Sequence, residues 1–156
     1  MTIEIEILDL ERARREHARF DAVLSVLSPD TDPGFQHPRH TVLRSLDGVG
    51  VDAGHATRRP PDLACRVINC ARVLAADARD LRLLIHCELG RARSPSAALA
   101  VLAALDGPGH EADSVARLRT LAPRADINPA FLLAADRALG RDGRLVATAR
   151  ADGLVP

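Results

Sequence analysis

The chain has 156 residues, 47% of them hydrophobic and 27% charged, and its 21 basic and 21 acidic side chains leave no formal net charge. That is the length of one domain, residues 1–156, and the composition of an ordinary globule, which excludes disordered and fibrous classes. Balanced charge gives no ground for wholesale nucleic-acid binding, and no apolar run approaches the roughly 20 residues that span a bilayer, so no nucleic-acid or membrane partner is expected.

Ile3, Ile5 and Ile7 alternate with Glu4 and Glu6, the pattern of a half-buried strand near a sheet edge. The same glutamates break any resemblance to a signal peptide. The expected location is therefore cytoplasmic, with Cys65, Cys70 and Cys87 as thiols. Residues 11–19 are polar and helix-prone, and residues 22–27 form a compact apolar run suited to a buried strand. Three prolines and a glycine make residues 28–38 a loop. A third strand is predicted over 41–46, and a Gly/Pro-rich exposed loop over 47–61. From Asp62 onward Leu63, Val67, Cys70 or Ala71, and Leu74 share one helical face. Residues 81–86 supply another strand, and 95–105 a helix that stops at Asp106-Gly107-Pro108-Gly109. Helices are predicted over 111–121 and 129–139, the second with Asn128 as N-cap and proline in its first turn. This order predicts an α/β fold: a single compact domain with a small, largely parallel sheet of 4–5 strands covered by helices.

The chemistry concentrates between the strand at 81–86 and the helix at 95–105, in His86-Cys87-Glu88-Leu89-Gly90-Arg91-Ala92-Arg93-Ser94. A loop joining a buried strand to a helix N-terminus converges its backbone N–H groups on one point, where an anion is favoured. Gly90 lets the loop curl without a side chain over those amides. A cysteine facing them is favoured as the thiolate, the nucleophilic form. Arg93, in the first helical turn, can turn its fork back across the loop onto two phosphate oxygens. Thiolate and guanidinium beside one phosphoryl group make nucleophilic catalysis feasible. A lone cysteine is ordinarily a small buried hydrophobe; the conjunction of five residue types at fixed offsets carries the functional reading.

His86-Cys87-x-x-Gly90-x-x-Arg93-Ser94 resembles the HCxxGxxRS motif of the cysteine-based protein tyrosine and dual-specificity phosphatases. The resemblance runs from about Thr41 through Asn128-x-x-Phe131 to the segment 140–146, and the whole chain most resembles a small group of bacterial tyrosine-phosphatase-like proteins. It implies Cys87 as the nucleophile that takes the phosphoryl group, Arg93 as the residue binding its equatorial oxygens, and Ser94 as hydrogen-bond donor to the departing thiolate. His86 would hold the loop from behind, and the amides of Glu88, Leu89, Gly90, Arg91, Ala92 and Arg93 would form the phosphate cradle. The Glu88 side chain is expected to project outward, away from the anion.

The same mechanism needs a general acid, which the resemblance implies is an aspartate from the loop after the third strand. Asp47 is the first choice and Asp52 the second, with His55 and Asp62 nearby; a turn-capping role competes for each. With neither tyrosine nor tryptophan in the chain, the aromatic wall of tyrosine-specific members is missing and a shallower or differently lined pocket is implied. Arg58, Arg59 and Arg91 could favour an acidic substrate or be solvated. Cys70 could act as a resolving thiol, but it fits the apolar stripe of its helix. His17, His37, His40, His55 and His110 show no ligand spacing and are expected at surface or loop positions. No metal and no cofactor is expected. The function implied is a metal-independent phosphomonoester hydrolase acting on a phosphorylated protein or a small phosphate ester. The alternatives are a pseudophosphatase that binds phosphate without turning it over and a rhodanese-like sulfur transferase.

Overall fold

The computed structural model describes residues 1–45 and 60–155. Its strands are β1 (Ile3–Leu8), β2 (Ala22–Leu27), β3 (His40–Arg44) and β4 (Leu81–His86). They lie in the order β1-β4-β2-β3, every pair parallel. The hydrophobic pattern explains that order. β2 is buried at all six positions and β4 at all but Arg82, as central strands covered on both faces must be. β1 alternates and takes an edge, and β3, mostly half-buried, takes the other.

The helices are α1 (Leu10–Glu16, followed by a 3-10 turn, His17–Arg19), α2 (Pro60–Ala76), α3 (Arg93–Asp106), α4 (Glu111–Leu121), α5 (Pro129–Ala138) and α6 (Arg144–Ala151). One face of the sheet packs against the larger core, where Leu24, Val26, Leu83 and Ile85 meet Val67, Ala71, Leu99 and Leu102. The opposite face holds a smaller cluster of Leu8, Ala13, Phe20, Val23 and Leu84 beneath α1, with Phe35 against it. α3 is buried from Ser94 through Ala103, the all-round burial expected of a helix apolar on every side, and its alanines let neighbours approach closely.

Elements therefore follow the sequence expectation, with the sheet settled at four strands. α2 begins at Pro60, two residues before the predicted start; proline in a first helical turn sacrifices no intrahelical hydrogen bond. The larger departure is α6, which was not anticipated. Its N-cap, Gly143, offers no side-chain cap. The cap comes instead from Asp136 on α5, 1% exposed, whose carboxylate accepts from the amides of Gly143 at 2.7 Å, Leu145 at 2.9 Å and Val146 at 3.2 Å. A carboxylate seven residues upstream of the N-cap leaves no local sequence signature.

Asp136→Ala would strip three amides of their acceptor. A loss of about 2–3 kcal/mol is expected from hydrogen bonds to a charged group, read as a lower urea midpoint with an unchanged slope.

Candidate active site

β4 runs between β1 and β2, with Leu83, Leu84 and Ile85 at most 1% exposed, and ends at His86. Residues 87–92 then turn into α3. The turn is tight at Gly90, whose φ is +71° and whose position would put a Cβ 3.3 Å from Asp9 N and from Leu8 C and O. Both the backbone sign and the neighbouring chain exclude a side chain there. The loop is tied at two points: Leu10 N–H donates to Glu88 O at 3.0 Å and Asp126 N–H to Arg91 O at 2.9 Å. Asp9 caps α1 and Asn128 caps α5 with their side chains, but Ala92 gives α3 no such cap. The amides that open α3 are thus left for another acceptor.

Cys87 is 2% exposed. Its Sγ lies 3.1 Å from Ser94 Oγ and accepts from Gly90 N–H at 3.1 Å. A hydroxyl and an amide on one sulfur are the contacts that stabilise negative charge on it.

Arg93 is clamped. Its NH1 donates to Ser28 Oγ at 3.0 Å and to Ser45 O at 3.1 Å, and its NH2 forms an ion pair with Glu88 Oε2. Glu88 therefore does not project outward as expected. The side chain folds back against the guanidinium, and its Oε1 accepts from Ser28 N–H at 3.0 Å and Thr31 Oγ at 2.9 Å. The reason is electrostatic: the Arg93 side chain is only 9% exposed, and a buried cation left without a counter-charge is costly, so the adjacent carboxylate compensates it. Burial pushes the Glu88 carboxyl up, but Ser28, Thr31 and Arg93 outweigh it and hold it below the ordinary carboxylate value. Arg44 completes the clamp, its NH1 donating to the carbonyls of Ser28, at 2.8 Å, and Thr31.

Behind the loop lies a hydrogen-bonded relay. His86 Nδ1 is 3.2 Å from Cys87 O, its Nε2 is 2.5 Å from Ser25 Oγ, and that oxygen is 2.7 Å from His40 Nε2. One proton arrangement satisfies all three contacts with both rings neutral: His40 Nε2–H donates to Ser25, Ser25 O–H to His86 Nε2, and His86 Nδ1–H to the Cys87 carbonyl. Burial lowers His40 to about 4, with smaller contributions from His86, His37 and His17. Burial also holds His86 low, against the Cys87 carbonyl, which favours its proton. The expectation of surface or loop positions holds for His37, in the loop before β3, while His17 is half-buried in the 3-10 turn and His40 lies on β3. His40 stacks on Phe35 at 5.0 Å, Phe35 on His17 at 4.2 Å, and His37 meets His17 edge-on at 6.4 Å. His110 is exposed as expected.

Asp47, Asp52, His55, Arg58 and Arg59 lie outside the described residues. Leu89 and Arg91 point to solvent from the loop. Cys65, Cys70 and Cys87 are free thiols. Cys70 packs against the core from α2, its sulfur 3.9 Å from Thr41 Oγ1, and burial pushes its thiol up. Among the described residues no cluster of three histidine, cysteine or acidic side chains could hold a metal ion, and no helix is long and apolar enough to cross a membrane. The residues that sequence reasoning missed are Ser25, Ser28, Thr31, His40, Arg44 and Ser45. Ser25 alone left a trace, as the one polar residue in an otherwise apolar buried strand.

No protein-family model matches the sequence, and no curated protein matches it. Solved structures with the same fold are phosphatases. Tk-PTP in its active form is 16% identical, with 90% of this chain and 93% of that chain covered at a TM-score of 0.62. Human DUSP28 is 20% identical, with 87% and 91% covered at 0.58. PTPMT1 in complex with PI(5)P is 18% identical, with 95% and 94% covered at 0.56. At these identities the likeness is one of fold.

Because the fold holds Glu88 below its ordinary value of 4.5, its contribution to stability is present above that pH and is lost as pH falls through the lowered value. Glu88→Ala should cost about 1–3 kcal/mol at neutral pH, and urea titrations at successively lower pH below 4.5 should find a shrinking difference. The histidines carry the same sign. His40, lowered from 6.5 to about 4, stabilises the fold fully above 6.5 and less as pH falls toward 4. His40→Gln can still donate to Ser25 but cannot titrate, so it should flatten the fall in Tm across that window; an unaltered slope would assign the fall to other groups.

Proposed function

We propose that the chain is a metal-independent phosphomonoester hydrolase of the cysteine-dependent phosphatase type. The observation that carries this reading is the pairing of Cys87 Sγ, held by Ser94 and Gly90 N–H, with a guanidinium clamped in the same loop. A sulfur supported by two hydrogen bonds at an uncapped helix end is suited to attack phosphorus. Arg93 would bind the phosphoryl oxygens and stabilise their charge in the transition state.

In the first step Cys87 Sγ forms a bond to phosphorus as the ester P–O bond breaks. The departing oxygen takes a proton from Asp47, with Asp52 as the alternative donor. In the second step the resulting carboxylate accepts a proton from water as that water attacks phosphorus. The S–P bond breaks, phosphate leaves, and Ser94 donates to the released thiolate. His86, through its contact with the Cys87 carbonyl, would orient the nucleophile without titrating. The amides of residues 88–93 would surround the phosphoryl oxygens.

The substrate is a phosphorylated protein or a small phosphate ester. A phosphoinositide head group belongs in the same range, since PTPMT1, similar in fold, is described with PI(5)P bound. Leu89, 69% exposed beside the nucleophile, offers an apolar contact to the group that carries the phosphate. A second reading, phosphate binding without turnover, draws on the Glu88–Arg93 ion pair, because a carboxylate already on the guanidinium competes with the incoming anion.

Hydrolysis of para-nitrophenyl phosphate separates these readings. Turnover should survive a chelator, disappear in Cys87→Ser, and fall by roughly 10²-fold or more in Arg93→Ala, the range seen when one transition-state donor is removed. Asp47→Asn should lower turnover by about 10²–10⁴-fold and flatten the acidic side of the pH–rate profile. Vanadate binding without any turnover would establish the second reading, and sulfur transfer from thiosulfate to cyanide would overturn both.

A further inference from the structure

A second concavity, of about 400 Å³, lies between the edge strand β3 and α2. Its floor is apolar, with Leu43, Leu74 and Leu83 among its walls, and its polar side is cationic, carrying Arg39 and Arg66. No acidic residue among those described lines it, although the chain as a whole has as many acids as bases. Asp77 pairs with NH2 of Arg39. NH1 of the same guanidinium is buried and makes no hydrogen bond among the described residues, an arrangement that ordinarily costs free energy until an acceptor is supplied. Arg66 is exposed and forms no ion pair with any described residue. Val73, 58% exposed, adds apolar surface at the mouth.

We infer that this groove binds a small amphipathic anion. The head, a single carboxylate or phosphate, would sit between the two guanidinium groups, which match planar oxyanions with paired N–H donors. The body, of about six to ten carbons for a groove of this size, would lie along Leu43, Leu74 and Val73. His40 forms part of the same wall and is also the far end of the relay that reaches the Cys87 carbonyl through Ser25 and His86. An anion in the groove would therefore sit beside the first member of that chain. The site is independent of the reading of Cys87 as a nucleophile, and the primary readout of its test is cysteine protection rather than turnover.

Cys70 lines the groove and Cys65 on the same helix is exposed, so differential alkylation reports occupancy. The intact protein is treated with N-ethylmaleimide, with octanoate, acetate or octanol present at equal concentration, and the two cysteines are quantified separately by mass spectrometry. Octanoate should slow modification of Cys70 by about fivefold or more at ~1 mM, an affinity ordinary for a small ligand of one charge, and leave Cys65 unchanged. Acetate, lacking the body, and octanol, lacking the charge, should protect far less. Arg66→Glu, and more mildly Arg66→Ala, should abolish the octanoate effect while para-nitrophenyl phosphate turnover stays as in the parent. Protection by octanol equal to that by octanoate, protection retained in Arg66→Glu, or no protection by octanoate would each overturn the assignment.

Discussion

A guanidinium enclosed at the end of a parallel sheet is the constraint around which this molecule is arranged. Left alone, a buried cation of this kind carries a desolvation cost of several kcal/mol. Glu88 offsets part of that cost from one residue beyond the cysteine, and the turn at 28–31 engages both partners at once. Three segments distant in sequence are thereby locked together: the cysteine loop, the turn after β2, and the end of β3 through Ser45 O and Arg44. The orientation of Arg93 is set before any ligand arrives, which is the preorganisation that oxyanion recognition relies on.

The two faces of the sheet serve the site differently. The larger core, through α3, fixes the helix whose first turn carries Arg93 and Ser94. The smaller face holds aromatic and imidazole rings, stacked His17, Phe35 and His40, and delivers a hydrogen-bonded chain to the carbonyl of Cys87. Polar groups buried this way rigidify only if every member is satisfied, and in the segment from His40 to Cys87 each contact can be.

Most of the fold was legible in the residue pattern. The six apolar or small positions of β2 and the alternation of β1 announced a central and an edge strand, and the strand–loop–helix setting read around Cys87 is the one observed. What escaped the sequence shares one physical character: it depends on partners far away along the chain. The inward turn of Glu88 follows from Ser28 and Thr31, some 60 residues earlier. The burial of His40 follows from Phe35 and from Ser25 on the neighbouring strand. α6 is capped from another helix. The proposed acid, Asp47 or Asp52, rests on the family resemblance and falls outside the described residues.

The close passage of Gly90 beneath Leu8 and Asp9, with Leu10 N–H on the Glu88 carbonyl, has a kinetic meaning. β1 reaches β4 only after the chain between them has been drawn together, across separations such as the 78 residues between Thr2 and Asp80. Contacts so remote in sequence close slowly, because loop entropy must be surrendered before they return anything. A nascent or partly unravelled molecule thus keeps its sulfur and its arginine but lacks the brace that shapes them into a cradle. The geometry around Cys87 is therefore complete only while the amino-terminal strand is paired in the sheet.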